Sequence, residues 1–336
     1  MTRYLWSLSR VAMIAAAGLL VQGIALAQDQ LSQSPLTITG DGQTIHILPT
    51  VNDAAAFAQA NADAGPLIYH AGGAVMNPSV TVYPIFWVPA KLQNGAPTGM
   101  SSHYKSVQTN MLADYAGHGI GNINTQYYQK SGTTTSYIQN KGGLGTAYLD
   151  TIAYPASGCT DRATPGNCLT DAQIRAEVVR VMQFAHLTGG LNKVFMVFTS
   201  SGEGSCFDSH STSCAYTQYC AYHSFISNGS APIVYANEPY GSTANCQIQG
   251  APSPSNDPVA DAAATSASHE LTEAITDPLL NAWFTARGNE IGDLCAYNYG
   301  RATWDGGKAN QMWNGHFYLL QQEYNNHTFS CVQVGP

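Results

Sequence analysis

A mixed α/β fold is what the sequence predicts, and three observations carry that expectation. Lys193 to Thr199 and Ala231 to Ala236 are short apolar runs that read as neighbouring strands. Ile174, Val178, Val181 and Ala185 recur at helical spacing behind the opening Leu169-Thr170-Asp171-Ala172. Pro258 to Thr276 is bracketed by Asp257, ahead of a first-turn proline, and by Asp277-Pro278 at its end, which sets both limits of a second helix. Strands and helices in alternation imply a layered α/β core.

At the start of the chain, Arg3 and Arg10 flank a short leader, and Val11 to Ile24 form an apolar run. Ala25-Leu26-Ala27 supplies the small-x-small pattern at which such leaders are cut, so residues 1–27 read as a signal peptide and the mature chain as beginning near Gln28. No later stretch approaches the ~18 to 20 uninterrupted apolar residues of a membrane helix. The expected product is a soluble protein working outside the cytoplasm, secreted or periplasmic. Residues 28–66 are polar and Ala-rich, with Asn52-Asp53-Ala54-Ala55-Ala56 and Asn61-Ala62-Asp63-Ala64-Gly65-Pro66 resembling a spacer, and read as a loosely ordered N-terminal arm or a pro-segment. The span 67–336 reads as one globular domain.

Within that domain the strongest strand is Ser79 to Pro89, dense in β-branched and aromatic residues, where Pro84 implies an edge or a bulge. A helix is expected from Ser102 to about Tyr115, and a further strand within Thr146 to Tyr154. From Asn281 onward the chain is aromatic and Gly-rich, which predicts a loop-rich C-terminal region of short strands. There are no internal repeats.

The full chain carries 13 Lys and Arg against 21 Asp and Glu, a formal charge of −8, and loss of the leader removes two basic residues and no acid. Such a surface speaks against nucleic acid and anionic lipid as partners and leaves peptides, sugars and metal ions. Eight cysteines, all downstream of the leader, read as four disulfides in an exported chain. Cys159 with Cys168 and Cys295 with Cys331 are the pairs to propose first. Cys206, Cys214, Cys220 and Cys246 leave three pairings open.

Chemistry concentrates in Ser268-His269-Glu270-Leu271-Thr272-Glu273-Ala274-Ile275-Thr276-Asp277. Residues four apart share a helix face, so His269 stacks with Glu273 as a pair of metal ligands, while Glu270 is turned by about 100°. In H-E-x-x-H metallopeptidases that arrangement presents a carboxylate to a metal-bound water; here a glutamate replaces the second histidine. Catalytic zinc sites take three protein ligands plus water, and Glu290-Ile291-Gly292-Asp293 offers the third from the segment that follows. Asp293 and Glu290 rank first for that place, ahead of His223, His70 and Asp277. The competing interpretation is a solvated polar helix face. Against it stands the composition of the helix, which is otherwise rich in Ala, Ser and Thr in a protein with only 10% charged residues.

Other signals are weaker. Gly202-Glu203-Gly204-Ser205 lacks the G-x-S-x-G spacing of a nucleophile elbow. Trp283, Trp304 and Trp313 allow a glycan-binding surface, although aromatics in disulfide-tied loops are more often a small core.

Several stretches taken as words resemble the Exordium-like, or phosphate-induced, family of secreted proteins known from plant cell walls. They are Tyr69-His70-Ala71-Gly72-Gly73 with Val80 to Trp87; Cys206, Cys220-Ala221-Tyr222-His223-Ser224, Tyr235-Ala236-Asn237 and Cys246; and His269 to Glu273 with Asn281-Ala282-Trp283 and Glu290-Ile291-Gly292-Asp293-Leu294-Cys295. The similarity spans about 69–334. Asp277 stands where plant relatives would carry asparagine, Cys214 is additional, and the N-terminal arm has no counterpart. The resemblance implies extracellular residence and cell-wall association, without an agreed catalytic activity.

The expectation from the motif is therefore a zincin-like core in which His269, Glu273 and Asp293 or Glu290 hold a divalent metal, zinc first and calcium as the alternative. Glu270 would be the general base of a metal-dependent peptidase acting on peptide or protein. The rival is a non-catalytic extracellular or cell-wall-associated binding or signalling protein, with cell-wall glycan as its partner.

Overall fold

A computed structural model of the chain describes residues 36–40, 42–60, 65–229, 231–242 and 244–336, and the expected signal peptide lies outside them. The fold is mixed α/β. Its main sheet is built from β1 (Thr37–Gly40), β2 (Gln43–Pro49), β3 (Val80–Trp87), β4 (Gly142–Leu144), β5 (Tyr148–Asp150), β6 (Lys193–Thr199), β7 (Tyr219–Ile226) and β8 (Ile233–Glu238). Across the sheet the order is β1-β2-β7-β8-β6-β3-β4, with β5 also paired to β3. The strands from β8 to β3, β4 and β5 are parallel, whereas β7, β2 and β1 extend the sheet antiparallel.

Both faces of the sheet are covered, as parallel strands require. Successive residues of a strand point to opposite faces. Val194, Met196 and Phe198 of β6 accordingly join one core, with Tyr104, Val107 and Met111 of helix α2 (Ser102–Asp114) and the alanines of helix α4 (Pro258–Thr276). Phe195 and Val197 join the other, against Ile174, Val178, Val181 and Met182 of helix α3 (Asp171–Phe184). Helix α3 starts where the sequence places it, on a capping box between Thr170 and Gln173.

Helix α4 matches its expected limits. The Asp257 side chain caps it by accepting from the Ala260 amide at 3.1 Å, and Pro258 occupies the first turn. Every residue from Ala260 to Thr276 is buried. Small side chains at Ala260, Ala263, Ala264 and Ala267 seat the helix against the sheet and α2. A helix enclosed on all sides gives its polar residues no solvent to face, so the alternative of a solvated face for His269, Glu270 and Glu273 is set aside.

Two expectations are corrected. The segment read as a loosely ordered arm contributes β1, β2 and helix α1 (Val51–Ala60), with β2 paired to β7. The run Ile45-His46-Ile47-Leu48 alternates between the two faces of the sheet, and Ile45 and Leu48 are fully buried. Pro84 lies on an interior strand instead of at an edge. On its far side β4 pairs with Val80–Val82 and β5 with Ile85–Trp87, so the residue without an amide hydrogen falls between two partners.

Four disulfides are present: Cys159–Cys168, Cys206–Cys214, Cys220–Cys246 and Cys295–Cys331. The first and last are the pairs the sequence favours, and the middle two select one of the three open pairings. No helix among the described residues is long and apolar enough to cross a membrane.

Candidate metal centre under helix α4

The site is assembled from five parts of the chain. Helix α4 supplies His269, Glu270 and Glu273, and the segment after it supplies Glu290 and Asp293. Strands β2 and β7 add His46 and His223, and Gln321 and Glu323 close the group from the C-terminal region. All but Asp293 are at most 2% exposed. Register explains the two strand histidines: His46 pairs directly with His223 across β2 and β7, and their ring centroids lie 5.9 Å apart. Their neighbours Ile47 and Tyr222 point to the opposite face, so this pairing, and no one-residue slip of it, brings both imidazoles to α4.

Glu273 lies at the centre. Its Oε1 accepts from the Gly292 amide at 3.2 Å, and its Oε2 sits 3.1 Å from His269 Nε2 and 3.6 Å from His223 Nδ1. Asp293 Oδ2 receives His46 Nε2 at 2.8 Å and the Glu290 amide at 2.6 Å. Glu290 reaches both strand histidines, with Oε1 3.3 Å from His46 Nδ1 and Oε2 3.7 Å from His223 Nε2. Glu270 Oε2 lies 3.1 Å from His223 Nδ1. Gly292 is what lets the loop come this close: a Cβ there would stand 2.5 Å from His269 Nδ1.

Gln321 fixes the role of His269. Its Oε1 accepts from the Tyr297 amide at 3.3 Å, so its Nε2 is the amide nitrogen that donates to the Gly292 carbonyl at 3.1 Å and to His269 Nδ1 at 2.8 Å. A neutral His269 that accepts at Nδ1 carries its proton on Nε2, which lies 3.1 Å from Glu273 Oε2 but outside hydrogen-bond alignment. The ring expected to be a ligand is thus held by Gln321 beside Glu273, with its Nε2 unpartnered.

The cluster is strongly acidic for a buried one. Burial pushes the carboxyls of Glu270, Glu273, Glu290 and Glu323 well above the ordinary carboxylate range, and the neighbouring acids add to the push. Burial also drives the His223 imidazole well below its usual value, helped by His46 and His269 and opposed by the Asp277 carbonyl. At His46 burial acts in the same sense, but Asp293 and Glu273 outweigh it and raise the pKa.

Buried polar atoms in native proteins are nearly always hydrogen-bonded. Here His223 Nε2, His269 Nε2, Glu270 Oε1, Glu273 Oε2, Glu290 Oε2, Asp293 Oδ1 and Glu323 Oε2 are buried without a hydrogen-bond partner. The 3.1 Å contact between His269 and Glu273 is an ion-pair distance that misses hydrogen-bond alignment. Two sets of ligand atoms, from His46, Glu273 and Asp293 and from His223, Glu273 and Glu290, each lie within 4.8 Å of one another. Imidazole and carboxylate in such a set suit a divalent transition ion, zinc above all, better than the all-oxygen shell calcium prefers.

The remaining sequence candidates lie elsewhere or do other work. His70 stacks on Phe284 with centroids 3.5 Å apart, away from the cluster. Asp277 Oδ1 accepts from the Asn281 and Ala282 amides at 2.5 and 2.6 Å and shapes the turn after α4. Ser205 bonds to Tyr219 and Asn237 and has no histidine for a base. Trp283 and Trp313 are buried, and Trp304 is 45% exposed. Sequence reasoning missed His46, Gln321 and Glu323; of these only His46 had a local signal, the short Ile45 to Leu48 run. Comparison with family models, with curated proteins and with solved structures returned no match for this chain.

Proposed function

We propose that the chain is an exported, disulfide-tied metalloprotein with a zincin-like core, and that its buried centre is that of a zinc-dependent, peptidase-like hydrolase. One observation carries this reading: unpartnered imidazole and carboxylate atoms from β7, α4 and the segment after it converge with His46 of β2 around Glu273. The likeness of its motif blocks to Exordium-like proteins and the four disulfides support an extracellular setting.

His46, His223, Glu273, Glu290 and Asp293 would hold the metal. A divalent ion held there would supply Lewis-acid chemistry, lowering the pKa of a water and polarising a scissile carbonyl. Glu270 is the proton acceptor of the reaction. His223 holds its Oε2 and leaves Oε1 free to take a proton and return it to the leaving amine. His269, locked by Gln321, stands beside Glu273 with Nε2 3.1 Å from its Oε2.

Replacing Glu270 by Gln keeps its volume and removes the acceptor. The expected result is unchanged metal content and a fall in peptide hydrolysis of roughly a hundredfold or more, measured on a peptide library with the mature protein. Full activity in that variant would overturn the role given to Glu270.

A second reading is favoured by the depth of the site, since His223, His269, Glu270 and Glu273 are all 0% exposed. In it the centre ties β2 and the C-terminal region to α4 in a non-catalytic extracellular protein. Zinc-loaded wild-type protein that cleaves no member of the library moves the assignment to this reading.

A further inference from the structure

Two ligand sets meet at the cluster and share one residue. His46, Glu273 and Asp293 form the first, and His223, Glu273 and Glu290 the second. His46 and His223 stand side by side on paired strands, yet no set among the described residues contains both. On the loop after α4, Asp293 lies against His46, while Glu290 turns Oε2 toward His223 Nε2 and Oε1 toward His46 Nδ1. We propose that the site is a two-cation centre in which Glu273 bridges one ion held with His46 and Asp293 and a second held with His223 and Glu290. This rests on the metal reading given above and deepens it.

Three further features support the bridge. The buried atoms lacking hydrogen-bond partners fall in both sets: Asp293 Oδ1 in the first, His223 Nε2 and Glu290 Oε2 in the second, and Glu273 Oε2 in common. The charge also calls for more than one ion. Glu270, Glu273, Glu290, Asp293 and Glu323 are carboxylates in one region with no Lys or Arg among their ion-pair partners within the described residues. One divalent cation balances two of them, and two balance four, which removes most of the cost of burying them. His223 is oriented as metal-bound histidines usually are, with Nδ1 directed at the Glu270 carboxylate and Nε2 unpartnered and facing Glu290. Two-metal sites place their ions ~3.5–4 Å apart, a spacing one bridging carboxylate spans.

The test uses the mature, oxidised chain, stripped with a chelator, reloaded with Zn²⁺ alone and freed of excess by gel filtration. Elemental analysis should find two equivalents of zinc per chain, one in His46→Ala, one in His223→Ala and none in Glu273→Ala. One equivalent in the wild type overturns the two-ion proposal and leaves the metal reading standing; none overturns both. Should the variants fail to fold, the wild type loaded with Mn²⁺ decides alone by electron paramagnetic resonance. An exchange-coupled spectrum supports the bridge, and the six-line signal of isolated Mn²⁺ overturns it.

Discussion

Strand β7 carries two buried polar clusters on its opposite faces, and they are built on contrary principles. On the α3 face, Asp171 accepts from Tyr222 at 3.1 Å, from Tyr235 at 2.5 Å and from Arg175 at 2.7 Å. Its carboxylate is matched by donors, one of them cationic. On the α4 face the very next residue, His223, enters a cluster where acids outnumber donors and buried atoms on Glu270, Glu273, Glu290 and Asp293 have no hydrogen-bond partner. A saturated network needs nothing beyond the protein to be stable, whereas an unsaturated one calls for positive charge from outside the chain. On the proposed reading the first is structural and the second a ligand site.

Three changes would sharpen or break that contrast. The largest effect belongs to chelation. Removing the metal with the disulfides intact should lower stability by about 4 kcal/mol or more, the figure for a ligand present at ~1,000 times its dissociation constant. Thermal unfolding with and without chelator measures it, and an unchanged midpoint would mean the α4 cluster is as self-sufficient as the Asp171 one. Next is Gly292→Ala. Its methyl group would lie 2.5 Å from His269 Nδ1 and 2.7 Å from Cε1, so the loop carrying Glu290 and Asp293 must move. Overpacking of this kind costs ~1–3 kcal/mol, and zinc content should fall with it; full zinc occupancy would contradict the placement of that loop. The smallest is Tyr222→Phe, which removes one of three donors to Asp171 and should cost about 1 kcal/mol. Zinc stoichiometry should not change, because the lost hydroxyl lies on the other face of the sheet.

Legibility in the sequence followed distance along the chain. The limits of α4 could be read from Asp257, Pro258 and Asp277-Pro278, and its motif pointed to His269, Glu270 and Glu273, because capping and helical spacing are local rules. Glu290 and Asp293 were within reach as the next acids after the helix. His46 was not, since four apolar-patterned residues in a polar, Ala-rich stretch look like a spacer until a partner strand is known. His223 stood out only as one histidine among several. His269 also has a partner that spacing could not show, the Gln321 amide 52 residues further on, which contacts its Nδ1.

By itself the sequence determined the α/β class, the bounds of the buried helix, two of the four disulfides and several of the residues that gather in the buried cluster. These depend on residue type and short-range periodicity. Only the tertiary structure decided which imidazoles face which carboxylates, that the supposed arm supplies one of them, and that Glu273 lies between two sets of donors. Those are consequences of strand register and burial, where one partner's position is set by another hundreds of residues away.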